Sequence, residues 1–451
     1  MDLYNDIFHS EALKRFFSEK NTLQYLLLAE KALAQAQAEN GIVPKEISET
    51  IGQYCDADLL DIKKLKHDIK QSGNAAIPLV KQLTQIIKNH DAEAAKYVHL
   101  GATSQDIVDT ATVLQIKDFI DFSEKNLSIL KEILIQITKE HRHTVMIGRT
   151  LLQQAKPITF GLKTAYWLEG IQRSCERLEE SKKRVLCVQL SGAVGSQNPN
   201  ISKAVNQSFA HILGLNTAHS WHTQRDNMAE FASILGILVG SLGKIAKDII
   251  LLMQTEVGEV FEGAAEGKGG SSTMPHKRNP VTSTAILANA QRVPFLVATI
   301  LSAMPQEHER SAGLWHSEWV TLTDIMQLTA GSLDRSIELL STLEIDKKRM
   351  LQNLELTNGL IYAENISLAL APTIGKEQAH ILVETACKIA VSDKKHLKQV
   401  LMEIETGLSE KELDVYFTPE NSIGLSLEII DDIITRATVQ NGGTGSTPSV
   451  F

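Results

Sequence analysis

GGSSTMPHKRNP, Gly269 to Pro280, crowds glycine, hydroxyl, basic and amide residues into one run with almost nothing apolar. Such a loop is built to meet an anion. Gly267, Gly269 and Gly270 can turn backbone N–H groups outward without steric cost, Ser271, Ser272 and Thr273 add hydroxyls, and Lys277 and Arg278 supply positive charge. Pro280 permits a turn into Val281 to Leu301, which reads as a helix because alanines and spaced apolar residues run through it without a further breaker until Pro294. A Gly/Ser/Lys stretch taken alone is most often a polar surface loop; here the whole string decides otherwise.

Gly270, Ser271, Ser272, Met274, Pro275, Lys277 and Asn279 fit the pattern G-S-S-x-M-P-x-K-x-N, and the loop resembles the signature of the fumarase/aspartase superfamily. Two further blocks resemble that family, HLGATSQDIVDT (His99 to Thr110) and GRTLLQQAKPITFG (Gly148 to Gly161), so the likeness spans the chain apart from its last ten or so residues. Within the superfamily, WHTQRDNMAEF (Trp221 to Phe231), QTEVGEV (Gln254 to Val260) and QEHERSAGLWHSEW (Gln306 to Trp319) look like the bacterial 3-carboxy-cis,cis-muconate cycloisomerase subgroup. The resemblance implies a homotetramer with a twenty-helix core. Each active site is then assembled from the three blocks, contributed by three different chains.

Composition agrees with a cytoplasmic enzyme. A chain of 451 residues exceeds one compact core, and 43% apolar with 22% charged residues allow a large buried interior. The net charge of −9 argues against a nucleic-acid partner, and it makes a tricarboxylate substrate dependent on a local cationic pocket. Cys55, Cys175, Cys187 and Cys387 are scattered, with no CxxC and no secretory leader, which fits reduced thiols. The histidines form no metal-ligand spacing, and no cofactor is expected.

The fold reads as all-α, with strand patterns missing. Ile116, Ile120, Leu127, Leu130, Leu134 and Ile137 make a long apolar stripe. Ala232, Gly236, Gly240 and Gly243, between Met228 and Glu256, would let a partner helix approach closely. The apolar run Phe231 to Gly243 falls short of the roughly 20 residues that span a bilayer, so no membrane partner is expected. With Phe160 to Val188 and Trp319 to Leu343 these segments define a central five-helix domain, 106–343, between helical domains 1–105 and 344–440, with 441–451 as a mobile Gly/Ser/Thr-rich tail. Helices so long and apolar also suggest burial between subunits.

The chemistry the superfamily implies passes through an enolate-like aci-carboxylate. For a cycloisomerase, one carboxylate of the substrate adds to a double bond of the same molecule and the carbanion is protonated to a lactone. Ser271 takes the place of the family's catalytic serine, Lys277 is a carboxylate partner that can help the serine lose its proton, and Asn279 fixes a substrate oxygen or caps a turn. Arg278 reads as a solvated side chain. In the first block His99, Thr103 and Ser104 match substrate-contacting positions, with Asp106 as a helix cap. In the second, Arg149, Thr150 and Gln153 are substrate-binding candidates. Leu151 stands where adenylosuccinate lyases carry an acid–base histidine. Arg310 is read as a bidentate carboxylate clamp, against a structural ion pair with Glu307 or Glu309. Trp319 replaces an arginine of the adenylosuccinate lyases, and Ile7 and Phe8 replace their nucleotide-binding Arg-Tyr pair.

Overall fold

The computed structural model describes residues 2–264, 269–270, 274, 276–404 and 406–439. The protein is all-α, and its five long central helices lie where the apolar periodicity puts them: α1 (Ser104–Glu140), α2 (Phe160–Val185), α3 (Asp226–Leu252), α4 (Val281–Ser302) and α5 (Leu314–Ser341). At 37 residues, α1 is about 55 Å long at 1.5 Å per residue. The chain folds as two compact units, one made of 1–127, 174–243 and 285–335, the other of 128–173, 244–284 and 336–451.

The stripe on α1 is a core stripe. Ile116, Ile120, Leu127, Leu130 and Leu134 are at most 1% exposed, so this surface is covered within one chain and does not itself call for a second subunit. Apolar surface is left open elsewhere, at Phe295 on α4 (68% exposed) and Val320 on α5 (71%). Among the described residues α4 is the one helix long and apolar enough to cross a membrane by length and composition. It also continues through exposed Pro294, which has no N–H to donate to the carbonyl four residues earlier.

The small residues on α3 behave as their spacing predicts. A Cβ on Gly243 would lie 2.5 Å from the Cβ of Ala290, and one on Gly236 would lie 3.1 Å from Val297, so α3 and α4 meet at near-backbone contact along this seam.

Strands are present, contrary to the reading of the sequence. Val145–Thr150 (β1) and Gln153–Thr159 (β2) form an antiparallel hairpin with Thr150 opposite Gln153 and a bulge between Ile147 and Arg149. Its two-residue turn is Leu151-Leu152, at φ 49° and 64°, where Asn-Gly is the usual signal. A second pair joins Val260–Phe261 (β3) to Glu344–Ile345 (β4).

The hairpin feeds directly into α2, and Gly161 makes that junction possible. A Cβ there would sit 2.8 Å from the Cα of Arg142 and from the carbonyl oxygen of His141, and 2.9 Å from that of Thr138. These are backbone atoms that cannot swing aside, and the adjacent Thr138–Thr164 hydroxyl bond of 2.9 Å locks the crossing. Gly161→Ala should therefore destabilise by about 1–3 kcal/mol, read as a lowered thermal midpoint; an unchanged midpoint would mean that the junction relaxes freely.

Candidate active site

In the first unit the site is built around one carboxylate. Asp106, fully buried, accepts from the backbone N–H of Thr103 (3.0 Å), Ser191 (2.9 Å) and Gly192 (2.9 Å), from Gln189 Nε2 (3.3 Å) and from His222 Nε2 (3.0 Å). The bond to Thr103 is one half of a capping box at the start of α1, so Asp106 caps the helix as its position suggests. It also ties the Thr103–Ser104 entry to the 189–192 segment. Asn198 Nδ2 holds the carbonyl of Gly101 at 2.8 Å, and Gly101 adopts φ 79°.

Arg310 joins this loop. Its Nη2 donates to Thr103 Oγ1 at 2.8 Å and to the carbonyl of Ala193 at 3.1 Å, and its buried Nε has no partner. It forms no ion pair with Glu307 or Glu309 among the described residues; Glu307 instead accepts from Ser311 Oγ (2.9 Å) and the N–H of Ala312 (3.2 Å). Ser104 is half-buried at the mouth of α1. His99, at φ 60°, directs Nδ1 to Oε1 of buried Glu30 at 2.7 Å. Burial opposes its charged form, but Glu30, by charge and hydrogen bond, with Asp106 behind it, holds the imidazole above its ordinary pKa.

Beneath these groups lies an ionic cluster that the sequence reading did not assign. Arg225 donates to Asp109 (2.8 and 3.1 Å) and to Glu318 (3.0 Å from Nε), Trp315 Nε1 donates to Asp109 at 2.9 Å, and Gln306 donates to Glu318 at 3.1 Å. All three charged side chains are at most 3% exposed. Burial, with Asp109 adding to it, pushes the Glu318 carboxyl above its usual range although Arg225 opposes the shift.

The second unit carries the other blocks. Arg149 is clamped by Glu259 through two bonds, 2.9 and 2.7 Å, and Asn353 Nδ2 also donates to Glu259 at 2.7 Å. Thr150 and Gln153 are exposed and paired across the hairpin, and Leu151 at its tip is 97% exposed. In the signature loop the N–H of Asn279 donates to the carbonyl of Gly269 at 2.9 Å, and Gly269 at φ 66° leaves no room for a side chain, since a Cβ would lie 2.7 Å from the carbonyl oxygen of Asn279. Lys277 is exposed and pairs with no carboxylate among the described residues, and the Asn279 side chain likewise has no partner there. Arg278 is exposed, as expected, but it is also tied down: both its Nη atoms donate to Glu344 at 2.9 Å, Nη2 also reaches the carbonyl of Glu262, and the guanidinium stacks on Phe261 at 5.1 Å. Glu262 in turn accepts the N–H groups of Thr282 (3.1 Å) and Ser283 (2.8 Å), capping α4. Gly267, Ser271, Ser272, Thr273, Pro275 and the 441–451 tail lie outside the described residues.

Residues 1–294 match the lyase family, and residues 359–433 match the adenylosuccinate lyase C-terminus family. The chain belongs to the lyase family of the fumarase/aspartase superfamily. It is 45% identical over 443 residues to the 3-carboxy-cis,cis-muconate cycloisomerase of Acinetobacter baylyi, covering 96% of this chain and 98% of that one. With the Pseudomonas putida protein of the same name it shares 47% over 418 residues, 91% and 99% of the two chains. The crystal structure of 3-carboxy-cis,cis-muconate lactonizing enzyme from Pseudomonas putida matches with a TM-score of 0.93 at 43% identity, covering 98% of this chain and 100% of that chain.

Leu151 puts an aliphatic side chain at the hairpin tip, and Trp319 packs edge-on against Trp315 at 4.9 Å beside an apolar cavity of about 180 Å³ lined by Leu26, Val108, Ala111, Leu322 and Met326. Ile7 is exposed and Phe8 half-buried. The organising carboxylate is testable. Asp106→Ala leaves three backbone N–H groups and two side-chain donors without their acceptor, which should cost at least about 3 kcal/mol. Denaturant unfolding reads this directly, and a loss below about 1 kcal/mol would show that the segments do not depend on it.

Proposed function

We propose that this protein is a 3-carboxy-cis,cis-muconate cycloisomerase acting in aromatic catabolism, a cytoplasmic homotetramer of three-domain chains (1–105, 106–343 and 344–440) whose sites are shared between subunits. The observation that carries the reading is Leu151: a leucine at the tip of the second block cannot move a proton, and a carboxylate nucleophile, ionised near neutral pH with a pKa near about 4, does not need one moved. Similarity over nearly the whole chain to enzymes of that name supports the same reading.

In this scheme Arg310, His99 and Lys277 meet the carboxylates of a small tricarboxylate, with Thr103, Ser104, Arg149, Thr150, Gln153 and Asn279 as further polar contacts. The attacking carboxylate forms the C–O bond. The π electron pair moves to the neighbouring carbon as an aci-carboxylate, which Lys277 and backbone N–H groups of the signature loop stabilise, and Ser271 delivers the proton that completes the lactone. Solvent then returns a proton to Ser271, so one proton is taken up per lactone formed and no other group enters or leaves; no step calls for a metal or cofactor. The apolar surface at Phe295 and Val320 supports burial against other subunits.

A second reading, an adenylosuccinate- or argininosuccinate-type lyase, is favoured by the match of residues 359–433 to the adenylosuccinate lyase C-terminus. The two separate cleanly. Purified protein should abolish the conjugated-diene absorbance of 3-carboxymuconate and release no fumarate from adenylosuccinate or argininosuccinate; fumarate release without lactone formation would overturn the proposal. In the same assay Ser271→Ala should lower kcat by about 10²- to 10⁴-fold with little change in KM. Retention of more than roughly a tenth of wild-type kcat would remove Ser271 from the role of proton carrier.

A further inference from the structure

The helix Glu19–Glu39 is packed almost entirely by leucine and alanine, with Leu23, Leu26, Leu27, Ala29, Leu33, Ala34 and Ala36 buried. Two polar residues are buried among them, Glu30 at 2% exposure and Gln37 at 0%. A carboxylate in such surroundings is costly unless it is paired. Seven residues apart, two helical turns, these side chains share a face, and both are spent on the same short loop. Glu30 Oε1 meets His99 Nδ1 at 2.7 Å, and Gln37 Nε2 donates to the carbonyl of Leu100 at 2.7 Å and to that of Asn200 at 2.9 Å. The loop they hold is strained, since His99 is a non-glycine residue at φ 60°, a conformation that costs about 1–2 kcal/mol.

Three histidine–carboxylate pairs occur among the described residues, and only one is open. The His222 side chain is 2% exposed and that of His141 is 4%, whereas His99 keeps 20%. Its Nε2 makes no hydrogen bond among the described residues, so one ring nitrogen is fixed from inside the fold and the other is left free.

We infer that Glu30 is a positioning residue of the active site, holding His99 by Nδ1 so that Nε2–H is presented to a substrate carboxylate. The inference rests on the reading of His99 as a substrate contact. The charged and titratable groups around the pair are Glu30 itself, Asp106 at the start of α1, and Cys55 with Lys31 on the far side of Glu30. Both carboxylates favour the imidazolium, and burial opposes it. The protein thereby gains a cation for an anionic substrate from a residue that would otherwise be neutral for part of the physiological range.

The test is the rate at which diethyl pyrocarbonate labels His99, followed by mass spectrometry of the tryptic peptide Tyr97–Lys117, in which His99 is the sole histidine. The reagent attacks neutral imidazole. Glu30→Gln removes the charge that favours the imidazolium, so labelling at pH 6 should be at least about 3-fold faster than in wild type. Propane-1,2,3-tricarboxylate should slow labelling of the wild type and protect Glu30→Gln less. Turnover should show a raised KM for 3-carboxymuconate between the two His99 titrations, and convergence with wild type at lower pH. Should Glu30→Gln fail to fold, Glu30→Asp keeps the charge at shorter reach and should give an intermediate rate. Identical labelling profiles in the variant and the wild type would overturn the role of Glu30. Because labelling needs no substrate, a wild type that labels as expected yet does not lactonise 3-carboxymuconate would sink the proposed activity alone, whereas absence of protection by the tricarboxylate would sink the contact.

Discussion

A carboxylate taken out of water must be met by donors, and this protein uses that demand to place the groups of its candidate site. Asp106 is the central case. Five donors from three stretches of chain converge on its two oxygens, and the Thr103–Ser104 entry, with Arg310 bonded to Thr103, is fixed as a result. The same device recurs: Glu30 under His99, Glu259 under Arg149, and Glu262 at the start of α4 behind the signature loop. An acidic chain of net charge −9 thus keeps some of its acids inside, where they orient cations and N–H groups.

The same device limits what Arg149 can do. Two of its five N–H groups are committed to Glu259, so only the remaining three are left for any further anion. Arg310 is in the opposite condition, with one Nη shared between neutral oxygens and a buried Nε without a partner. That free capacity is what a guanidinium needs to accept an anionic ligand.

Much of the fold is legible in the sequence because helical periodicity is a local property. The α1 stripe and the small-residue stripe of α3 follow from spacings of three, four and seven, although which helix meets the α3 stripe, α4, does not. The hairpin is hidden because its turn uses two leucines at positive φ in place of Asn-Gly. The buried acids are hidden for a different reason. Glu30 is 69 positions from His99, and Glu259 is 110 from Arg149, so no local pattern links them. The ion pair of exposed Arg278 is hidden on the same ground, since its partner Glu344 lies 66 positions away.

The described groups fall into two sets, His99, Thr103, Ser104 and Arg310 in one unit and Arg149, Thr150, Gln153, Lys277 and Asn279 in the other. The central claim is that lactonisation takes place where such blocks from different chains meet. Subunit mixing tests it most directly. Ser271→Ala protein is combined with Ser104→Ala/Gln153→Ala protein under conditions shown to exchange subunits, and loss of 3-carboxymuconate absorbance is followed. The account predicts that the mixture recovers activity above that of either parent, because some sites then draw every block from an intact copy. No recovery in a preparation of proven exchange would place each site within a single chain.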